Sequence, residues 1–194
     1  MENFSHSVVM KAGDALACFD ASGAGSGKQV VDAMRTWSPA PVSHLVYTHG
    51  HADHIGGSGA FIADAAARGA ARPTVVGHEN VLARMQRYED TSDWNMLINR
   101  RQFGGIRSEM RAPLTLVHDP TRFLPPDTAK PDQTFDDRLD LRLGDRAVQL
   151  HHARGETDDH LWAWVPEKKW MFTGDFVIWN FPNAGNPQKV QRYA

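Results

Sequence analysis

Apolar positions along this chain follow two rhythms, one of strands and one of helices. Val8-Val9-Met10-Lys11, then Ala12-Gly13-Asp14, then Ala15–Phe19 read as a β-hairpin with a Gly-Asp turn. The hairpin runs into a small-residue loop, Asp20-Ala21-Ser22-Gly23. Val30, Val31, Met34 and Trp37 recur at helical spacing, so residues 25–37 are predicted as an amphipathic helix that Ser38-Pro39-Ala40-Pro41 ends. Residues 42–47 form a short, partly β-branched apolar run, the mark of a buried strand. Residues 58–70 are Ala-rich and helical, closing at Gly69, and residues 73–76 are a short strand with His78 just past its end. This alternation of strand and helix predicts a layered α/β fold.

The middle of the chain reads differently. Residues 79–112 are helical in pattern and Arg-rich, with Trp94, Met96, Leu97 and Ile98 as apolar positions and Gly104-Gly105 as a break. Arg84, Arg87, Arg100, Arg101, Arg107 and Arg111 form either a solvated face or a lid that offers guanidinium groups to an anionic substrate. Pro113, Pro120, Pro125, Pro126 and Pro131 make residues 113–133 loop and short extended pieces. The region from about 79 to 133 is thus read as an insertion in a single domain spanning 1–194. Residues 135–152 return to the strand rhythm as a second hairpin, in which Leu139-Asp140-Leu141-Arg142-Leu143 alternates and Gly144-Asp145 turns. Leu161–Val165 is an aromatic strand, and residues 170–173 are another that ends in Gly174-Asp175.

Composition narrows the class without choosing the chemistry. A chain of 194 residues with 41% hydrophobic and 23% charged residues can bury a full core. A net charge of −2 gives no case for non-specific nucleic-acid or membrane binding. No apolar stretch approaches the length of a membrane span, and no basic, then apolar, leader opens the chain, so a cytoplasmic location is the default expectation. Cys18 is alone in an apolar run and is expected to be a buried core residue.

The chemistry is concentrated in Thr48-His49-Gly50-His51-Ala52-Asp53-His54-Ile55-Gly56-Gly57, directly after a strand. Imidazole and carboxylate suit zinc and, less selectively, iron, manganese or nickel. His49, His51, Asp53 and His54 are too dense for one tetrahedral ion, whereas a turn that splits them would serve a pair of ions. His44 lies within the strand and is read as structural.

This stretch resembles the H-x-H-x-D-H signature of the metallo-β-lactamase superfamily. The resemblance implies an αββα sandwich, of which this chain supplies mainly the first half and part of the second. It also implies a site-residue set. His49 and His51 would hold one metal with Glu156, from Gly155-Glu156-Thr157, as third ligand. Asp53 and His54 would begin a second site that Asp175 bridges or completes. Two zinc ions are expected, with iron or manganese as alternatives. The pair would lower the pKa of a shared water, and Asp53 would orient the resulting hydroxide and pass on its proton.

Two departures from the family pattern stand out. Glu156 falls where most members have His, and carboxylates near this point are similar to alkylsulfatase-like members. His151, His152 or His160 is the rival source of that ligand. No histidine follows His160, so the last His of two-metal members is missing. Asp20 matches a family Asp that supports the metal loop through hydrogen bonds, or is a simple turn or capping residue. His78 faces the metal loop, caps a helix or lies at the surface.

The function expected is a metal-dependent hydrolase acting on a small ester, amide or sulfate ester. One alternative is a mononuclear iron oxidoreductase of the same fold, similar to persulfide dioxygenases. Another is a non-catalytic half-domain that binds metal. The expected partner is a small-molecule substrate, without nucleic acid or membrane, and self-association would cover an exposed half-fold. The tail from Phe181 to Pro187 is read either as a loop near the metals or as plain surface.

Overall fold

The first hairpin forms from β1 (Val8–Ala12) and β2 (Ala15–Phe19), antiparallel, with Val8 opposite Phe19 and Ala12 opposite Ala15. The computed structural model describes residues 5–102 and 122–177. Helix α1 (Gly27–Trp37) follows, burying Val30, Val31 and Met34 while Trp37 at its end stays exposed. Strand β3 (Val42–Val46) runs parallel to β2, and β4 (Thr74–His78) runs parallel to β3. Between them lie α2 (Ala52–Ile55) and α3 (Ser58–Ala67). Helices α4 (Asn80–Asp90) and α5 (Ser92–Gln102) come next, and β5 (Gln133–Phe135) closes a five-stranded sheet in the order β1-β2-β3-β4-β5.

The second sheet is a four-stranded antiparallel meander of β6 (Arg138–Leu143), β7 (Arg146–His152), β8 (Leu161–Val165) and β9 (Trp170–Phe172). The first sheet is sandwiched. On one face Leu16, Cys18, Leu45, Tyr47 and Val75 pack with Val30, Met34, Phe61 and Met85 from the helices. On the other face Met10, Ala17, Phe19, Val46 and Val76 meet Leu143, Val148, Leu150, Leu161 and Val165 of the second sheet. Phe19 and Phe172 stack across this inner layer at 4.2 Å. The result is the α/β sandwich expected. Cys18 is fully buried beside Met34, and burial pushes its thiol up to about 12.

Some boundaries fall elsewhere than the pattern suggests. His78 is the last residue of β4 rather than a residue beyond it. Phe135 belongs to β5 and pairs with His78, so the second hairpin begins only at Arg138. The Arg-rich helical stretch is two helices, parted at Thr91. Gly104, Gly105, Arg107, Arg111, Pro113, Pro120 and the tail from Phe181 to Pro187 lie outside the described residues.

Candidate metal centre

Parallel strands deliver their ends to one edge. Phe19 pairs with Val46, so the chain leaves β2 and β3 side by side, at Asp20 and at Thr48-His49. The second sheet meets this edge through the backbone, where the Leu161 N–H donates to the Thr48 carbonyl at 2.7 Å. Residues after β3 turn through Gly50, and His51 immediately precedes α2, whose single turn carries Asp53 and His54. Glu156 comes from the β7–β8 loop and Asp175 from the 3-10 turn after β9. Gly174 makes that turn possible. Its φ is +50°, and an added Cβ would run into the Thr48 side chain.

The structure gathers the expected residues into two overlapping groups. In the first, Glu156 Oε2 lies 3.2 Å from both His49 Nε2 and His51 Nδ1. In the second, His54 Nε2 lies 3.4 Å from Asp53 Oδ2 and 3.4 Å from Asp175 Oδ1. His49, His51 and Glu156 offer donor atoms all within 4.8 Å of one another, and so do His49, His54 and Asp175. The His49 and His54 rings lie 4.1 Å apart between centroids, which joins the groups.

Asp20 fixes how these rings present their nitrogens. Its backbone adopts a left-handed φ of 61°, and its carboxylate accepts from the Thr48 N–H and the Thr48 hydroxyl, each at 2.7 Å. It also accepts from His54 Nδ1 at 2.8 Å. Because the Thr48 hydroxyl points its proton at Asp20, its oxygen is left to accept from His49 Nδ1 at 3.1 Å. Both rings are therefore held with Nε2 facing the cluster. Asp20 takes the supporting role rather than that of a simple turn residue.

Electrostatics favour a cation here. Burial alone would lower the His54 pKa, but the carboxylates of Asp20, Asp53 and Asp175 raise it well above its ordinary value. Burial pushes the Glu156 carboxyl up, yet the His49 and His51 imidazoles, each 3.2 Å away, outweigh it and hold the group far below the usual carboxylate range. Burial likewise opposes ionisation of Asp53, and neighbouring His54 reverses it, leaving the pKa lowered. Asp175 goes the other way, raised by burial and by Glu156 despite His54. His49, buried and close to His54, is lowered well below its ordinary value.

A metal fits this site on a direct observation. The Nε2 atoms of His49 and His54 are buried without a hydrogen-bond partner, a costly state for a polar atom unless something else is to bind it. Imidazole lone pairs and carboxylates are also the donor set that zinc and its neighbours take.

The rival histidines are engaged elsewhere. His160 stacks on His49 at 4.5 Å, but its Nδ1 accepts from the Glu156 N–H at 3.2 Å and its Nε2 donates to the Thr173 carbonyl at 3.2 Å. Burial, helped by His54, pushes its pKa down to about 3. His151 stacks on Trp162 on the outer face of the second sheet, and His152 Nδ1 donates to the His160 carbonyl at 2.9 Å. His78 accepts from the Asn80 N–H and donates to the Asp136 carbonyl, so it caps α4. Arg84 is half-buried and pairs with Asp158 and Asp159 rather than standing on a solvated face. Asp159 and Thr48 were not among the expected site residues. Their signal lay in position alone, adjacent to ligand-type residues in both motif stretches.

The chain belongs to the metallo-beta-lactamase superfamily, whose family model matches residues 2–181. Among curated proteins, none matches it significantly. Solved structures share the fold at low identity. A metallo-beta-lactamase with a HARLDQ motif from Cronobacter sakazakii is 16% identical, with a TM-score of 0.62 over 97% of this chain and 64% of its own. A metallo-beta-lactamase from Pontibacter korlensis is 17% identical, with a TM-score of 0.57 over 95% of this chain and 66% of its own. A mutant of the metallo-beta-lactamase from Legionella gormanii is 12% identical, with a TM-score of 0.60 over 93% and 60%. This chain thus spans 60–66% of the length of these three.

Proposed function

We propose that this chain is a metal-dependent hydrolase of a small ester, amide or sulfate ester. His49, His51 and Glu156 would hold one ion, and Asp53, His54 and Asp175 the other, with zinc as the first expectation. The observation that carries this reading is the pair of buried, unpartnered Nε2 atoms on His49 and His54, facing Glu156, Asp53 and Asp175. When bound, such ions supply Lewis acidity toward water and toward the bond to be cleaved.

The chain's own residues do the rest. Asp20 keeps the Nδ1 protons of His49 and His54 turned away from the cluster. Asp53 is buried and held ionised, so its carboxylate takes a proton from the attacking water and returns it to the leaving group. Glu156 in place of an imidazole adds one negative charge, which moves preference toward harder ions such as manganese or iron(II).

One observation favours a second reading. His49, His51 and Glu156 form a two-histidine, one-carboxylate set, the donor set of non-haem iron sites. Metal analysis of wild type beside Glu156→Ala separates the readings. A hydrolase should hold two zinc ions per chain, and Glu156→Ala should keep one. One iron per chain with oxygen uptake favours the oxidoreductase. Unchanged metal content in Glu156→Ala would reassign the ligand to a neighbouring histidine, and a full complement with no turnover on ester, lactam and sulfate panels would leave only a metal-binding half-domain.

A further inference from the structure

We propose that Asp159 and Arg84 form a clamp that fixes the Gly50 turn against the Glu156 loop and thereby sets the affinity of the His49–His51–Glu156 ion position. The inference rests on the ligand assignment above.

Asp159 is fully buried, and its hydrogen bonds tie its own β7–β8 loop to the Gly50 turn and to α4. Its Oδ2 accepts from the Gly50 N–H at 3.0 Å and from Arg84 Nε at 3.0 Å. Its Oδ1 accepts from the Thr157 hydroxyl. Arg84 reaches out of α4 and also donates to Asp158 Oδ1 at 2.5 Å. Gly50 sits between His49 and His51, and Thr157 sits beside Glu156. One carboxylate therefore ties together the two segments that must converge on the ion, one from each sheet.

The clamp closes without slack. A Cβ added to Gly50 would stand 2.7 Å from Asp159 Oδ2 and 2.9 Å from Arg84 Cδ, so only glycine lets the turn come this close. No clamp atom belongs to the donor groups around the ion positions, which makes Asp159 and Arg84 positioning residues. A buried ion pair adds little stability over a well-packed apolar replacement, because desolvation offsets its attraction. What it does supply is fixed geometry, through directed hydrogen bonds. Asp20 offers the contrast. It reaches His54 directly and His49 through Thr48, so it touches both ion positions.

Zinc titrations of the full chain against a chromophoric chelator, with metal-free unfolding temperatures in parallel, test the clamp. Arg84→Met and Asp159→Asn should each weaken one of two ions by about 10- to 100-fold and leave the other near wild type. Arg84→Lys should recover part of the loss, and the double variant should be no weaker than the weaker single variant. Asp20→Asn should weaken both ions. Val30→Ala, a core control, should lower the unfolding temperature without changing either affinity. If the clamp variants lose both ions in step with metal-free stability, or lose neither while wild type binds two, the clamp is overturned alone. A wild-type chain that takes up no zinc overturns the ligand assignment and the clamp with it. Arg84→Met, which keeps the aliphatic stem, carries the test if Asp159→Asn does not fold.

Discussion

The two sheets bury their strands differently, and the difference decides where chemistry can sit. β2 and β4 of the first sheet are covered on both faces, and nearly every residue in them is buried. β6 and β8 of the second sheet alternate, with one set of side chains in the inner layer and the other turned outward. Parallel strands need cover on both faces because their crossovers are helices, whereas an antiparallel meander can leave one face open. The candidate centre lies on the seam. The first sheet supplies His49, His51, Asp53, His54 and Asp20 from the segments that follow its strands, and the meander supplies Glu156 and Asp175 through loops.

That contrast should be visible in stability. Leu45→Ala, in the doubly covered sheet where the side chain is fully buried, should cost about 2–5 kcal/mol in denaturant unfolding. A loss much below that would mean the helical layer relaxes into the space.

The seam itself should show in the pH dependence of the metal-free chain. His49 and His160 have native pKa values below their unfolded value near 6.5, so the unfolded chain takes up protons that the fold refuses. Stability should then fall on acidification from about 6.5 toward 3, by up to ~1.4 kcal/mol per pH unit for each group. Asp53 and Asp159, whose native values are lowered, lose their contributions in the same direction. His54 acts oppositely: its native value is raised, so its contribution is complete below about 6.5 and disappears as pH rises through that higher value. Unfolding curves of chelator-treated protein should therefore crest near pH 6.5, and zinc should remove the alkaline decline by taking the place of the His54 proton. A metal-free profile that rises monotonically into alkali would show that His54 is not held protonated.

The smallest effect belongs to the open face of the meander. Met171→Ala, at an exposed position of β9, should change stability by no more than about 0.5 kcal/mol by the same denaturant assay. A loss of several kcal/mol would show that this face is covered in solution.

The same contrast explains what could be read from the amino-acid pattern. The hairpins at Gly13 and Gly144 and the apolar run before His49 are local signals, and all three elements are present. The His-rich turn marks the seam because its ligand types lie close in sequence. The pattern puts Phe135 in the following hairpin because a three-residue edge strand carries too little signal to show which sheet it joins. His78 reads as a residue beyond its strand because the preceding Gly77 interrupts the apolar run, although its backbone still pairs with Phe135. Asp159 and Arg84 are 75 residues apart, and no spacing rule links a helix arginine to a loop carboxylate at that distance. Only the order of motifs points to Glu156 and Asp175, since nothing local to either reveals a partner on the other sheet.

Cys18 has a practical bearing on all of these measurements. It is the chain's one cysteine, sealed between the first sheet and helix α1 with its thiol largely protonated. A thiol reagent can reach it only when strand and helix separate, so alkylation kinetics would count those openings in the unmodified protein. The fold thus carries its own reporter, packed against Met34 and readable with or without zinc.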